Sequence, residues 1–153
     1  MKKGIKSRKS IYIILKALKN NTSKYDEILK KEINKNKFDS KDINFIQAIV
    51  LDSLRYSNQI KKIIHQFVRK KINNDSFILL LSAIAQLIYL DFKAYAVVNS
   101  TVELAKNNQI KASPGFINAV LKKIILKKDS LTKIKVEIND LPDWFINQIS
   151  NLK

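Results

Sequence analysis

The sequence predicts an all-α fold, a single helical bundle of about seven helices, and three observations carry that expectation. Turn chemistry is scarce: the 153 residues hold only two glycines, Gly4 and Gly115, and two prolines, Pro114 and Pro142. A sheet protein of this length needs many more turn residues. Apolar residues recur three and four apart along most of the chain, the spacing that lines one face of a helix. The composition, 46% hydrophobic and 27% charged, belongs to a folded chain rather than a disordered one. The length suits one domain, which buries roughly 68–70% of its unfolded surface.

Residues 1–7 read as a basic N-terminal arm. A first helix follows over 8–19, with Ile11, Ile14, Leu15 and Leu18 on one face. After a break at 20–23, Ile28, Leu29 and Ile33 mark a short helix over 25–33. Ser40 is the expected N-cap of a third, whose stripe is Ile43, Ile46, Ile49, Val50 and Leu54. The fourth, over 58–71, buries Ile60, Ile63, Ile64, Phe67 and Val68 and exposes its lysines. Asn74 or Asp75 can cap the fifth, 77–90, which is apolar on nearly every side and so is the helix the others pack around. A sixth covers 95–106. The seventh covers 114–128, where Pro114 suits the first turn. Residues 129–139 are polar and alternate weakly, giving an extended or irregular segment, and a short last helix starts near Pro142. The organisation is therefore an arm over 1–7, a helical domain over 8–140 and a short C-terminal helical extension over 141–153.

Twenty-nine Lys and Arg face 13 Asp and Glu, for a formal net charge of +16 and a pI near 10.0. A field of this sign favours polyanions, although a chain crowded with Lys, Asn and Ile can also be basic by composition alone. The chain has no cysteine, which removes disulfides, thiolate nucleophiles and thiolate metal ligands. One histidine, His65, cannot build a multi-histidine metal site, and two isolated glycines cannot build a phosphate-cradling loop. No catalytic residue, metal or cofactor is expected. The apolar run 77–90 is short of the about 20 residues that a membrane span needs. Ile11–Leu15 is too short for a signal peptide core and is followed at once by Lys16 and Lys19, so a cytoplasmic protein without membrane contact is expected.

The best candidates for function are cations near the start: Lys2, Lys3, Lys6, Arg8 and Lys9, in a stretch with no acid before Asp26. A cationic arm leading into a helix can lie along a phosphate backbone and order on contact. Two further acid-free stretches, between Asp52 and Asp75 and from Lys106 to Lys128, read as solvated helix faces. Tyr12, Tyr25 and Tyr56 lie near basic segments but suit the edge of a core as well as a base-stacking platform. Asn99 and Asn118 each interrupt an apolar pattern. Their neighbours Val98, Val102, Ile117 and Leu121 place both near the core, where an asparagine ties its helix to a neighbouring loop.

Taken in order, AVVNSTVELAK (96–106), GFINAVLKK (115–123), AIAQLIYLD (83–91) and IVLDSLRY (49–56) resemble segments of the NusB superfamily of all-helical RNA-binding domains. The resemblance covers almost the whole chain and implies a NusB-like bundle. SLRY at 53–56, NAVLKK at 118–123 and LPDWF at 141–145 lean towards one branch, the N-terminal domain of the RsmB ribosomal RNA cytosine-5 methyltransferases. The family pattern is departed from at Asp52, Lys93, Tyr95, Ser100 and Lys122. The methyltransferase part of that branch uses cysteine chemistry and a glycine-rich cofactor site, and this chain has neither, so no methylation by the chain alone is expected. The resemblance implies a non-catalytic RNA-binding protein acting on ribosomal RNA or its precursor, in transcription antitermination, regulation of transcription or rRNA maturation. Two alternatives stay open: a detached targeting module working in trans with a methyltransferase partner, and a protein-interaction scaffold, for which a ribosomal protein is the implied partner.

Overall fold

The computed structural model of the chain describes residues 3–20 and 23–132. Lys2, the segment from 133 onward and the 141–153 extension lie outside them. The described residues form eight α-helices and one π-helical turn, with no strand: α1 (Lys3–Lys19), α2 (Tyr25–Asn36), α3 (Ser40–Arg55), α4 (Ser57–Phe67), α5 (Asn74–Ile84), the π turn (Ala85–Tyr89), α6 (Ala94–Ala105), α7 (Pro114–Leu126) and α8 (Lys128–Leu131).

The expected all-α bundle is what the chain forms, and α5 sits at its middle. It packs against α1, α3, α4, α6 and α7. Ile78, Leu79, Leu80 and Ala83 are fully buried on different sides of the helix, as its unbroken apolar sequence requires. Truncating one of these leucines to alanine should cost about 2–5 kcal/mol through lost transfer energy and the cavity left behind.

Boundaries moved where polar residues found specific partners. Helix α1 starts at Lys3 rather than at 8, so residues 3–7, expected as an arm, are helical. Small serines explain it: Ser7 and Ser10 are buried, and Ser10 Oγ donates to Glu32 Oε1 of α2 at 3.0 Å. Asn36 Nδ2 reaches Ser10 Oγ at 3.3 Å and the Glu32 carbonyl at 2.8 Å. Helix α2 runs on to Asn36 and stops where Lys37 turns left-handed, φ 55°. The cap of α3 is Asp39, one residue before the expected Ser40, and it accepts from the Asp42 N–H at 2.9 Å. Helix α4 ends at Phe67 rather than at 71, because Val68 turns extended and buries its side chain.

The first turn of α5 holds a distant loop. Asn73 Oδ1 caps the Ser76 N–H at 2.9 Å, while its Nδ2 donates to the Lys111 carbonyl at 2.7 Å. Asp75, buried, accepts from the Lys111 N–H at 2.8 Å and pairs with Lys16 Nζ at 3.0 Å. Both backbone groups of Lys111 are thereby held, which fixes the connection between α6 and α7. Burial works to raise the Asp75 pKa, but the Lys111 N–H, Lys16 and the Tyr12 hydroxyl outweigh it, and the net shift is downward.

Beyond α5 the helix widens into the π turn, where Leu90 N–H bonds the Ala85 carbonyl at 3.0 Å. The chain leaves through Asp91, left-handed at φ 53°, a conformation that aspartate tolerates better than most residues. Asp91 also pairs with Lys128 at the start of α8.

Candidate nucleic-acid interface

Of the five candidate cations near the N-terminus, the described side chains of Lys6, Arg8 and Lys9 take separate roles rather than forming one cluster. Lys2 lies outside the described residues, and Lys3 opens α1. Lys6 Nζ donates to the carbonyl of Asn36 at 3.1 Å, so its charge sits on an otherwise unpaired carbonyl at the end of α2. Arg8 turns inward: its Nε donates to Gln86 Oε1 at 2.9 Å, and its guanidinium lies 5.1 Å from the centroid of Phe45. Burial lowers its pKa from the ordinary value, yet a guanidinium stays charged. The π turn supplies the partner. Gln86 also donates to the Ser82 carbonyl at 2.9 Å, and its own carbonyl accepts from Phe92 N–H at 2.9 Å, whose ring stacks on Phe45. Lys6 therefore locks α1 to α2 and Arg8 locks it to the π turn, while Lys9 lines a concavity on the outer face of α1.

Beside the start of α1 runs a groove of about 1140 Å³. One wall is Gly4 and Ile5 of α1. The floor is the outer face of α6, where Tyr95 and Asn99 lie one turn apart, and the far wall is α7 with Pro114 and Asn118. Ile5, Lys9, Tyr12 and Lys16 repeat at helical spacing, so the same stripe of α1 leads to a smaller concavity of about 310 Å³. That second concavity is lined by Lys9, Tyr12, Lys16 and, from the α6–α7 connection, Gln109. Lys106 borders the large groove and is only loosely paired with Glu103, at 3.4 Å and with both side chains exposed.

Two expectations are corrected here. Asn99 is exposed and Asn118 half-buried, and both line the groove rather than the core. Neither side-chain amide has a hydrogen-bond partner among the described residues. Val98, Ile117 and Leu121 are buried as foreseen, but a residue next to a buried one on a helix points about 100° away. Tyr95, at 80% exposure, is an aromatic platform that sequence reading passed over. Its signal was present, since it departs from the family pattern next to the small residues Ala94 and Ala96. Of the tyrosines weighed instead, Tyr12 and Tyr25 are buried and Tyr56 is stacked on Tyr89 with centroids 3.8 Å apart.

This arrangement offers a ring on which an unpaired base can stack, two free amides that can donate to and accept from base edges, and a cation, Lys106, at the border. Among the described residues no helix is long and apolar enough to cross a membrane.

Comparison with known proteins fits the fold. The NusB family model matches residues 5–126. A "Probable ribosomal RNA small subunit methyltransferase B" of Coxiella burnetii is 32% identical over 117 residues, which cover 71% of this chain but 27% of that protein. A "Transcription antitermination protein NusB" of Ligilactobacillus salivarius is 28% identical over 123 residues, covering 77% of this chain and 94% of that protein. The chain thus spans about a quarter of the methyltransferase relative. Among solved structures, a chain of "Crystal Structure of a Plectonemic RNA Supercoil" superposes with a TM-score of 0.72 at 19% identity, covering 88% of this chain and all of that one.

Proposed function

The chain belongs to the NusB family, and on that premise we propose that it is a non-catalytic RNA-binding protein whose target is ribosomal RNA or its precursor. The observation that carries the reading is the groove, where an exposed Tyr95 and the unpaired side-chain amides of Asn99 and Asn118 lie beside Gly4 and Ile5 of α1, with Lys106 at the border. A single strand laid along α6 would stack a base on Tyr95 and present base edges to the amides. Lys2, Lys3 and Lys9 would hold its phosphates, while Lys6 and Arg8 keep α1 in place. No step of bond making is assigned to the chain, which has no cysteine and no glycine-rich loop. Cytoplasmic residence is part of the same proposal.

The test is binding of a single-stranded RNA from the ribosomal leader region, measured by fluorescence anisotropy across a salt series. Neutralising about three phosphates, one each for Lys2, Lys3 and Lys9, contributes about −2 to the log–log slope on single-stranded RNA. Replacing Lys2, Lys3 and Lys9 with alanine should make the slope shallower by about 2. Binding that ignores salt would sink the proposal.

A second reading is favoured by the match to the start of a methyltransferase-class relative: the chain would serve as a targeting module in trans. Affinity capture that recovers a separate methyltransferase core in a stoichiometric complex would support it. Capture of a ribosomal protein with no RNA affinity would instead point to a scaffold.

A further inference from the structure

A second basic surface, none of whose residues lines the groove, runs across α4, the α4–α5 connection and α7. Helix α4 buries Ile60, Ile63 and Ile64 and turns Lys61 and His65 outward. The chain then leaves the helix at Val68 and exposes Arg69, Lys70 and Lys71 in succession. Lys70 Nζ lies 4.7 Å from the centroid of Phe116 in the first turn of α7, and the exposed Lys123 follows on the same side of that helix two turns on. At the other end, Lys19 sits 4.2 Å over Phe77. Burial, with the like charge of Lys61, lowers the Lys19 pKa. The two sequence segments that supply α4, the connection and α7, 53–74 and 104–128, contain no acid.

We propose that Lys61, Arg69, Lys70, Lys71 and Lys123 form a second contact surface for the RNA phosphate backbone. The inference rests on the RNA-binding reading above and extends it from a groove to two faces of the molecule. Cations carried on segments that supply no carboxylate repel one another, and a phosphate backbone relieves that repulsion while releasing its own counterions. Four of the five are lysines, point charges suited to phosphates rather than to bidentate base reading, so this surface binds without regard to sequence. Lys70 is already held over a ring, which lowers the entropy lost on contact. An anionic membrane is the poorer fit, because Leu51, Tyr95 and Leu126 are the large apolar side chains exposed among the described residues and they form no apolar stripe.

The experiment uses the full chain and a single-stranded RNA of about 20 nucleotides, longer than the about 4–16 that one small binding fold covers. Lys61→Ala/Arg69→Ala/Lys71→Ala should leave the melting temperature within a few degrees and make the log–log salt slope shallower by about 2, at about 0.7 per lost contact. Restoring charge with Lys61→Arg/Lys71→Arg should leave the slope at its parental value. A control, Lys30→Ala/Lys31→Ala/Lys41→Ala, removes the same charge from α2 and α3 and should change the slope little. Equal effects from the control and the Lys61→Ala/Arg69→Ala/Lys71→Ala variant, or no effect of the latter, would overturn the second surface and leave the groove reading standing. Absence of RNA binding by the parent chain would overturn both. Capture by phosphatidylglycerol vesicles that depends on Lys61, Arg69 and Lys71, without RNA binding that depends on them, would overturn the inference in favour of a membrane surface.

Discussion

The Tyr89 hydroxyl is buried without a hydrogen-bond partner among the described residues. Burial, with a contribution from Tyr56, pushes its pKa up to about 12 from the ordinary 10.0. A raised pKa on an acid means that the folded state holds the proton more tightly. Its contribution to stability is complete below pH 10.0 and is lost as the pH rises towards about 12. The melting temperature of the parent should therefore fall more steeply than that of Tyr89→Phe over this window. At neutral pH the phenylalanine should cost little, since the removed hydroxyl bonds nothing described. Arg8 gives a sharper residue-scale test. If it is a strut between α1 and the π turn, Arg8→Ala should lower stability by about 1–3 kcal/mol by leaving Gln86 unpaired. The effect should be non-additive with Gln86→Ala in a double-mutant cycle measured by urea unfolding. Loss of RNA affinity without loss of stability would return Arg8 to the phosphate-binding set.

At the scale of helices, the groove depends on how α6 and α7 turn their asparagines outward. Tyr95→Ala should weaken single-stranded RNA binding by about 1–3 kcal/mol, the usual worth of one base stacked on an aromatic ring. The melting temperature should hold, because the side chain is 80% exposed. An unchanged affinity would remove Tyr95 from the interface. The helices themselves were largely legible in sequence, since α3 and α7 carry apolar stripes at helical spacing, α5 is apolar nearly throughout, and each of those three has a polar cap. The π turn was not, because the widened hydrogen bonding of Ala85–Tyr89 depends on what Gln86 meets in space, namely Arg8 from the far end of the chain. The orientation of Asn99 and Asn118 was misread for a related reason. An apolar neighbour in sequence says only that one adjacent position is buried. The phase of the whole stripe, with Val97, Thr101 and Leu104 inward, settles which side of α6 the amide takes.

For the molecule as a whole, a net charge of +16 is a stability cost as well as a means of attraction. Added salt shortens the reach of repulsion, to about 8 Å at physiological ionic strength and 3 Å at 1 M. The melting temperature should therefore rise on going from low to moderate salt, while RNA affinity falls over the same series. A melting temperature that fell with salt would mean that the lysines are balanced by acids across the surface. The bundle also has an internal timekeeper. Lys111 lies in an exposed connection, where a backbone amide ordinarily trades its hydrogen with water within moments of local opening. Its N–H is instead bonded to Asp75, and its carbonyl to Asn73, at the head of the most deeply buried helix. Deuterium should enter that one loop position as slowly as it enters α5, and Asp75→Asn should quicken the uptake there first.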